Sequence, residues 1–210
     1  MKRLMQGFAM LLLSLGLTGF VAASDVAPDA LVKSVTDDVI KSLQGDKALQ
    51  AGDRKRVESL VEAKVLPNFN FQRMTQMAMA REWRQATPAQ QQQLIQEFRT
   101  LLVRTYSTAL MTYRNQTVDV KPLKAAPTDT DVLVRTEIRE SGRKPMQVDY
   151  ALQKEAAGWK VYDVIVGGIS LVTNYRDEFS QQVRSVGVDG LIKSLQAKNA
   201  GAAQEATARK

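Results

Sequence analysis

The sequence has no cysteine and no histidine in 210 residues. Without cysteine there is no disulfide, so the fold rests on an ordinary apolar core. The lack of both residues removes Cys/His metal centres and the Ser-His-Asp and Cys-His catalytic arrangements, and much of hydrolase chemistry goes with them. No basic stripe interleaved with aromatics is present, which argues against nucleic acid as a partner. No internal repeat is evident. After the first 23 residues, no segment is long and apolar enough to span a bilayer.

Those first 23 residues, "MKRLMQGFAMLLLSLGLTGFVAA", have the form of a secretory signal. Lys2 and Arg3 give a basic start, Leu4 to Val21 is almost wholly apolar, and Val21-Ala22-Ala23 offers small residues for cleavage near Ala23. Gly16, Thr18 and Gly19 interrupt the apolar stretch, which speaks against a retained anchor. The mature chain is thus expected to start at Ser24, on the far side of a membrane, as one domain over 24–196. Removing Lys2 and Arg3 takes 29 cationic residues to 27 against 22 acidic ones, a formal charge of +5 that suits lipid head groups or acidic protein faces. The tail 197–210, "AKNAGAAQEATARK", is small and polar and reads as disordered.

Helical patterns come first. Pro28 suits a first helical turn, and Leu31, Val35, Val39 and Leu43 recur every fourth residue. Asp53 can cap a second helix with Val57, Leu60, Val61 and Val65 as its stripe, ended by Pro67. One or two short helices follow, rich in Phe and Met. The longest signal starts at Thr87, Pro88 and Gln90, which have the spacing of a capping box, and continues through Leu94, Phe98, Leu102, Tyr106 and Leu110 to Tyr113.

After Asn115 the period becomes two. Val118 and Val120, then Val132, Val134, Thr136 and Ile138, then Met146, Val148, Tyr150 and Leu152 each fall on one side of a strand, with a largely polar opposite side. The short turns at Ser141-Gly142 and Ala157-Gly158 imply an antiparallel meander. In "WKVYDVIVGG", strict alternation puts Trp159, Val161 and Ile165 on one side and Tyr162, Val164 and Val166 on the other, so this strand reads as covered on both faces. A central strand under a helix and the wall of an apolar cavity would both leave that trace. The expected architecture is α+β: a helical half packed on one face of a curved, mainly antiparallel sheet of about four strands.

The strings "LPNFNFQRM", "EWRQATPAQQQQLIQEFRTLLVRTYSTAL", "GRKPMQVDYAL", "GWKVYDVIVGGISLVTNYRDEF" and "VGVDGLIKSL", in that order after a signal, resemble the MlaC family of toluene-tolerance Ttg2-type proteins. The likeness runs from about Asp25 to Leu195 and is most specific over Trp159 to Phe179. It departs at Gly167, where an acidic residue is common, and at Asn70, where Asp often stands; neither is an apolar position. The resemblance implies a periplasmic carrier with no cofactor, metal or bond-changing chemistry. Such a carrier holds glycerophospholipid in an apolar cavity between helices and sheet. It passes the lipid between an outer-membrane MlaA-porin complex and an inner-membrane ABC transporter complex whose MCE-domain subunit is MlaD, which maintains outer-membrane lipid asymmetry.

Strand parity and this resemblance together nominate the lipid contacts. On the sheet they are Val132, Val134, Ile138, Met146, Val148, Tyr150, Val164 and Val166; opposite them stand Phe71, Met74, Met77, Leu102, Tyr106 and Leu110; at the bend lie Ile169, Leu171 and Val172. The methionines suit irregular acyl chains because their unbranched thioethers adapt. Plain core packing is the alternative for each. Arg143 and Lys144, on a turn beside Pro145, are candidates for a head-group or partner contact, and Arg176-Asp177-Glu178 for the water-facing side. Two other classes stay open: a small pocket enzyme with Asp163 or Asp149 as general base, and a periplasmic chaperone or scaffold.

Overall fold

The computed structural model describes residues 26–111, 116–126 and 128–208. The expected signal segment, its cleavage site and Tyr113 lie outside them.

Helix α1 (Pro28–Gly45) opens on its proline and buries Val32, Val39 and Leu43. Asp46 caps the short α2 (Lys47–Gln50), its carboxylate accepting from the N–H groups of Ala48 and Leu49. Asp53 caps α3 (Arg54–Leu60) as its position implied, accepting from Arg56 N–H at 3.1 Å. This helix loosens into a π turn (Val61–Val65) and a 3-10 turn (Leu66–Asn68) in which Pro67 stops it.

Asn70 caps α4 (Phe71–Met79). Its amide oxygen accepts from Arg73 N–H at 2.7 Å, and its amide nitrogen donates to Glu155 Oε1 at 2.5 Å. An aspartate there could cap equally well but would face Glu155 as a like charge, so the departure at this position has a local reason. Ala80, at φ 48°, turns the chain into a 3-10 segment (Ala80–Gln85). The capping box then forms: Gln90 N–H donates to Thr87 Oγ1 at 3.3 Å and Thr87 N–H to Gln90 Oε1 at 2.8 Å, starting α5 (Pro88–Tyr106). This helix ends earlier than its stripe suggested, and a break at Ser107 precedes α6 (Thr108–Met111).

The sheet is antiparallel throughout, in the order β1 (Thr117–Val120), β2 (Asp131–Arg139), β3 (Met146–Glu155), β4 (Gly158–Val166) and β5 (Ile169–Ser170). Five strands replace the expected four because two-residue β5 is too short to show a period. After α7 (Leu171–Asn174), α8 runs over Arg176–Ala208 with a break at Gly187 (φ 70°, ψ 179°), a conformation open to glycine and strained for other residues. The helix continues past residue 196, which corrects the expected disordered start of the tail at 197. Asn199 is buried, and its amide donates to the Glu97 carbonyl at 3.0 Å and to Glu97 Oε2 at 2.7 Å. Its polar composition finds partners on α5 instead of water.

The β3–β4 register shifts by one residue: Ala151 faces Asp163, Leu152 faces Val161, and Tyr162 is the extra residue of a bulge. The side assignment made by strict alternation is therefore corrected. Val161, Val164 and Val166 share the face of Leu152, Tyr150 and Val148, whereas Asp163 and Ile165 share that of Ala151 and Asp149. Strand β4 is indeed covered on both faces, by different layers. One face meets α1, with Val32, Val134, Leu152, Trp159 and Val161 buried together. The other meets α4, α5, α7 and α8 in the main core, to which Ala151 and Tyr162 belong with Phe98, Phe179 and Leu191. A third cluster joins α1, α2, α3 and the π turn through Val39, Leu43, Leu49, Val57 and Val61.

Candidate functional site

Residues paired across strands share a face, so the register assembles one aliphatic surface from all five strands. One rung is Val120–Thr136–Val148–Val166–Ile169; beside it lie Val134–Tyr150–Val164 and Val118–Ile138–Met146. All eight nominated sheet residues, and Ile169, fall on this surface. Val118, Val120, Leu152 and Val161 belong to it as well. The first three carried the same parity signal without being nominated, and Val161 was hidden by the bulge.

Burial fades along the surface. Under α1 and Phe69 the Leu152–Val161 end is closed. At the opposite end Ile138 and Val166 are half-buried, Met146 is 46% exposed and Ile169 63% exposed. Its polar groups are few. The Thr136 hydroxyl donates to the Val148 carbonyl at 2.6 Å, and burial raises the Tyr150 phenol above its ordinary pKa.

The nominated helical residues do not gather opposite. Met74, Leu102 and Val172 are packed in the main core behind the other sheet face, with Phe71 and Met77 at its edge. Leu110 borders the third cluster, Leu171 is half-buried and Tyr106 is 36% exposed. A helical stripe shows that a face is apolar, not which layer it meets; Met74, Leu102 and Val172 meet the main core. Arg143 and Lys144 are exposed on the β2–β3 turn, next to Met146. Arg176 and Asp177 are exposed, as a water-facing group requires, and Glu178 pairs with Lys198.

The two candidate bases are placed differently. Asp163 is buried with both oxygens engaged: Oδ1 accepts from Val164 N–H at 2.8 Å and Val172 N–H at 3.2 Å, and Oδ2 from the Ser170 hydroxyl at 2.5 Å. It fastens the β4–β5 turn and the start of α7. Asp149 is buried, with Oδ2 accepting from Gln147 Nε2 at 2.7 Å and Oδ1 unpartnered. It lies on the face away from the aliphatic surface, paired with Ile165. Among the described residues no acidic cluster is arranged to hold a metal ion.

Among the described residues, two of the hollows on the surface are the best formed. One of about 620 Å³ is lined by Lys55, Glu58, Ser59, Glu62 and Ala63, and one of about 530 Å³ by a mainly polar set that includes Asn70, Arg73, Gln153 and Glu155. Neither is lined by the aliphatic surface.

The family model described as MlaC protein matches residues 33–197. The chain belongs to the MlaC family. Over 192 residues it is 21% identical to the intermembrane phospholipid transport system binding protein MlaC of Haemophilus influenzae, covering 88% of this chain and 90% of the relative. It is 26% identical over 163 residues to the toluene tolerance protein ttg2D of Pseudomonas putida, covering 77% and 75%. Among solved structures, a phospholipid-binding protein from Ralstonia solanacearum in complex with a phospholipid matches with a TM-score of 0.78 and 43% identity. That match covers 86% of this chain and 99% of the other.

In this MlaC-family chain the most specific string, Trp159 to Phe179, combines wall and fastening. Trp159, Val161, Val164 and Val166 face the aliphatic surface. Asp163 and Ser170 pin the turn, and Tyr175 and Phe179 enter the main core against Phe98. Burial and a hydrogen-bonding contact with Tyr106 push the Tyr175 phenol up to about 12.

Proposed function

We propose that this protein carries glycerophospholipid through the periplasm, exchanging it with an outer-membrane MlaA-porin complex and with the MCE-domain subunit MlaD of an inner-membrane ABC transporter complex. The acyl chains lie along the aliphatic surface, and the head group stays toward water at its open end. The observation that carries this reading is the uneven cover of that surface among the described residues: Met146 and Ile169 are exposed and Ile138 and Val166 half-buried, beside buried Thr136 and Val148. To hold the chains, the α1–sheet cluster and the α1–α3 cluster would part from one another. These share α1 but no buried residue, and half-buried Tyr150 and Val164 border one as Leu60, Val65, Leu66 and Leu110 border the other. The phospholipid held by the Ralstonia solanacearum relative supports the choice of cargo.

At about 0.8 kcal/mol per buried methylene, two long acyl chains cost on the order of 20 kcal/mol to expose to water. Spontaneous passage between membranes is negligible on that scale, and a carrier needs only to replace one apolar environment with another. No bond changes, so a chain without histidine or cysteine loses nothing. Export by a signal ending near Ala23 places the carrier where the transfer occurs.

Native mass spectrometry of protein exported by a Gram-negative host, before and after delipidation, tests the proposal. Phospholipid at a fixed ratio is expected before, and a folded, lipid-free protein after. Organic extracts of folded protein that contain no lipid would count against it.

A further inference from the structure

At the open end of the aliphatic surface two turns lie side by side. Ser141–Pro145 joins β2 to β3, and Gly167–Gly168, with φ values of 57° and 84°, joins β4 to β5. The Gly167 N–H donates to the Gln147 carbonyl at 3.0 Å, which holds the second turn against the start of β3. On one side of this rim stand Met146 and Ile169, the largest exposures of the sheet's apolar side chains. On the first turn Arg143 and Lys144 project into water. Arg143 has Glu140 at 3.5 Å, and Lys144 pairs with no acid among the described residues.

We infer that this rim seats directly on a bilayer surface containing anionic lipid, with Met146 and Ile169 entering the head-group layer and Arg143 and Lys144 meeting its phosphates. Three features carry this. Exposed apolar tips beside cations form the combination that binds membrane interfaces, where neither element suffices alone. The sign of the charge fits an anionic leaflet, which attracts each nearby cation. The rung that ends at Ile169 runs unbroken across the sheet to Val120, so an acyl chain leaving the surface reaches the head-group layer without crossing water. The last feature rests on the carrier reading above. Two apolar side chains and two cations make a weak contact, as a protein that must leave again requires.

Flotation of the exported protein with vesicles of phosphatidylcholine alone, or with about one third phosphatidylglycerol, tests the inference. Recovery several-fold higher on the anionic vesicles, and falling with salt, is expected. Arg143→Gln with Lys144→Gln should weaken that binding roughly tenfold. Because the chain has no cysteine, Ile169→Cys carries a single environment-sensitive fluorophore, whose emission should rise with anionic vesicles.

Lipid-loaded protein that does not float overturns the inference and leaves the carrier reading standing. Flotation that neither the paired variant nor the label senses places the contact elsewhere and also overturns it. A label that responds to the MCE-domain partner but not to vesicles marks the rim as a protein dock, a third contrary result. Absence of both bound lipid and flotation removes the carrier reading as well.

Discussion

Strand β4 separates two apolar regions that are built from similar side chains and finished differently. On its core side Phe98, Tyr175 and Phe179 pack with ring centroids 5.1 to 5.6 Å apart, and Leu94, Leu191 and Leu195 close around them. On its aliphatic side Val164, Val166 and Tyr150 remain half-buried and Ile169 exposed, although Val148 between them is buried. Composition does not distinguish the two. Cover does: α4, α5, α7 and α8 complete one region, while among the described helices α1 packs on the Leu152–Val161 end of the other. The completed region supplies stability. The incomplete one retains apolar surface whose burial is still to be gained, and a ligand can supply it.

The largest effect should come from the completed side. Phe98→Ala, which removes the ring at the centre of the aromatic group, should cost about 3–5 kcal/mol in urea unfolding because a fully buried aromatic leaves a cavity. Its lipid content per folded molecule should not change, and an equal loss of lipid would erase the distinction between the regions. On the open side, Val164→Trp should cost no more than about 1–3 kcal/mol. It should nevertheless lower bound phospholipid roughly tenfold, the equivalent of about 1.4 kcal/mol in binding. Unfolding of this variant with no folded, lipid-free product would make Val164 ordinary core.

A smaller effect separates the regions by pH. Burial alone would raise the Glu82 carboxyl, but hydrogen bonds from Ser180 and Arg81 outweigh it and hold its pKa below the ordinary 4.5. The unfolded chain therefore takes up this proton at a higher pH than the folded one. The stabilisation is complete above the ordinary value and is lost as pH falls through the lower, folded one. Glu82 ties the 3-10 segment to α8, on the completed side, and the aliphatic surface carries no carboxylate. Stability should fall on acidification below about pH 4.5, and Glu82→Gln should flatten that fall while lipid retention stays level.

Local chemistry made much of the fold legible in the sequence. The Thr87–Gln90 capping box, the Asp53 cap and the alternation in β2 and β3 each depend on residues a few positions apart, and each formed as read. Where the outcome depended on distant partners, the pattern was silent. Met74 and Leu102 showed an apolar stripe but not the layer it met, and Asn199 looked solvated because its partner Glu97 lies on another helix. In β4 every position from Val161 to Val166 except Asp163 is apolar or aromatic, so no alternation remained to reveal where one residue was added.

That added residue, Tyr162, gives β4 one more side chain on its core face than its length would otherwise allow. Counted without it, the strand alternates regularly: Trp159, Val161, Val164 and Val166 still meet the aliphatic surface, and Asp163 and Ile165 still point away. The insertion therefore leaves the wall in phase and adds a second anchor beside the first. Asp163 ties down the turn that follows. Tyr162, whose hydroxyl donates to Asp131 at 2.6 Å under the Arg73 guanidinium 3.7 Å from its ring centre, ties α4 to β2. A strand of plain alternation would have one position for these two tasks, so the bulge lets the same short segment hold both the helices and the turn without interrupting the surface on its other side.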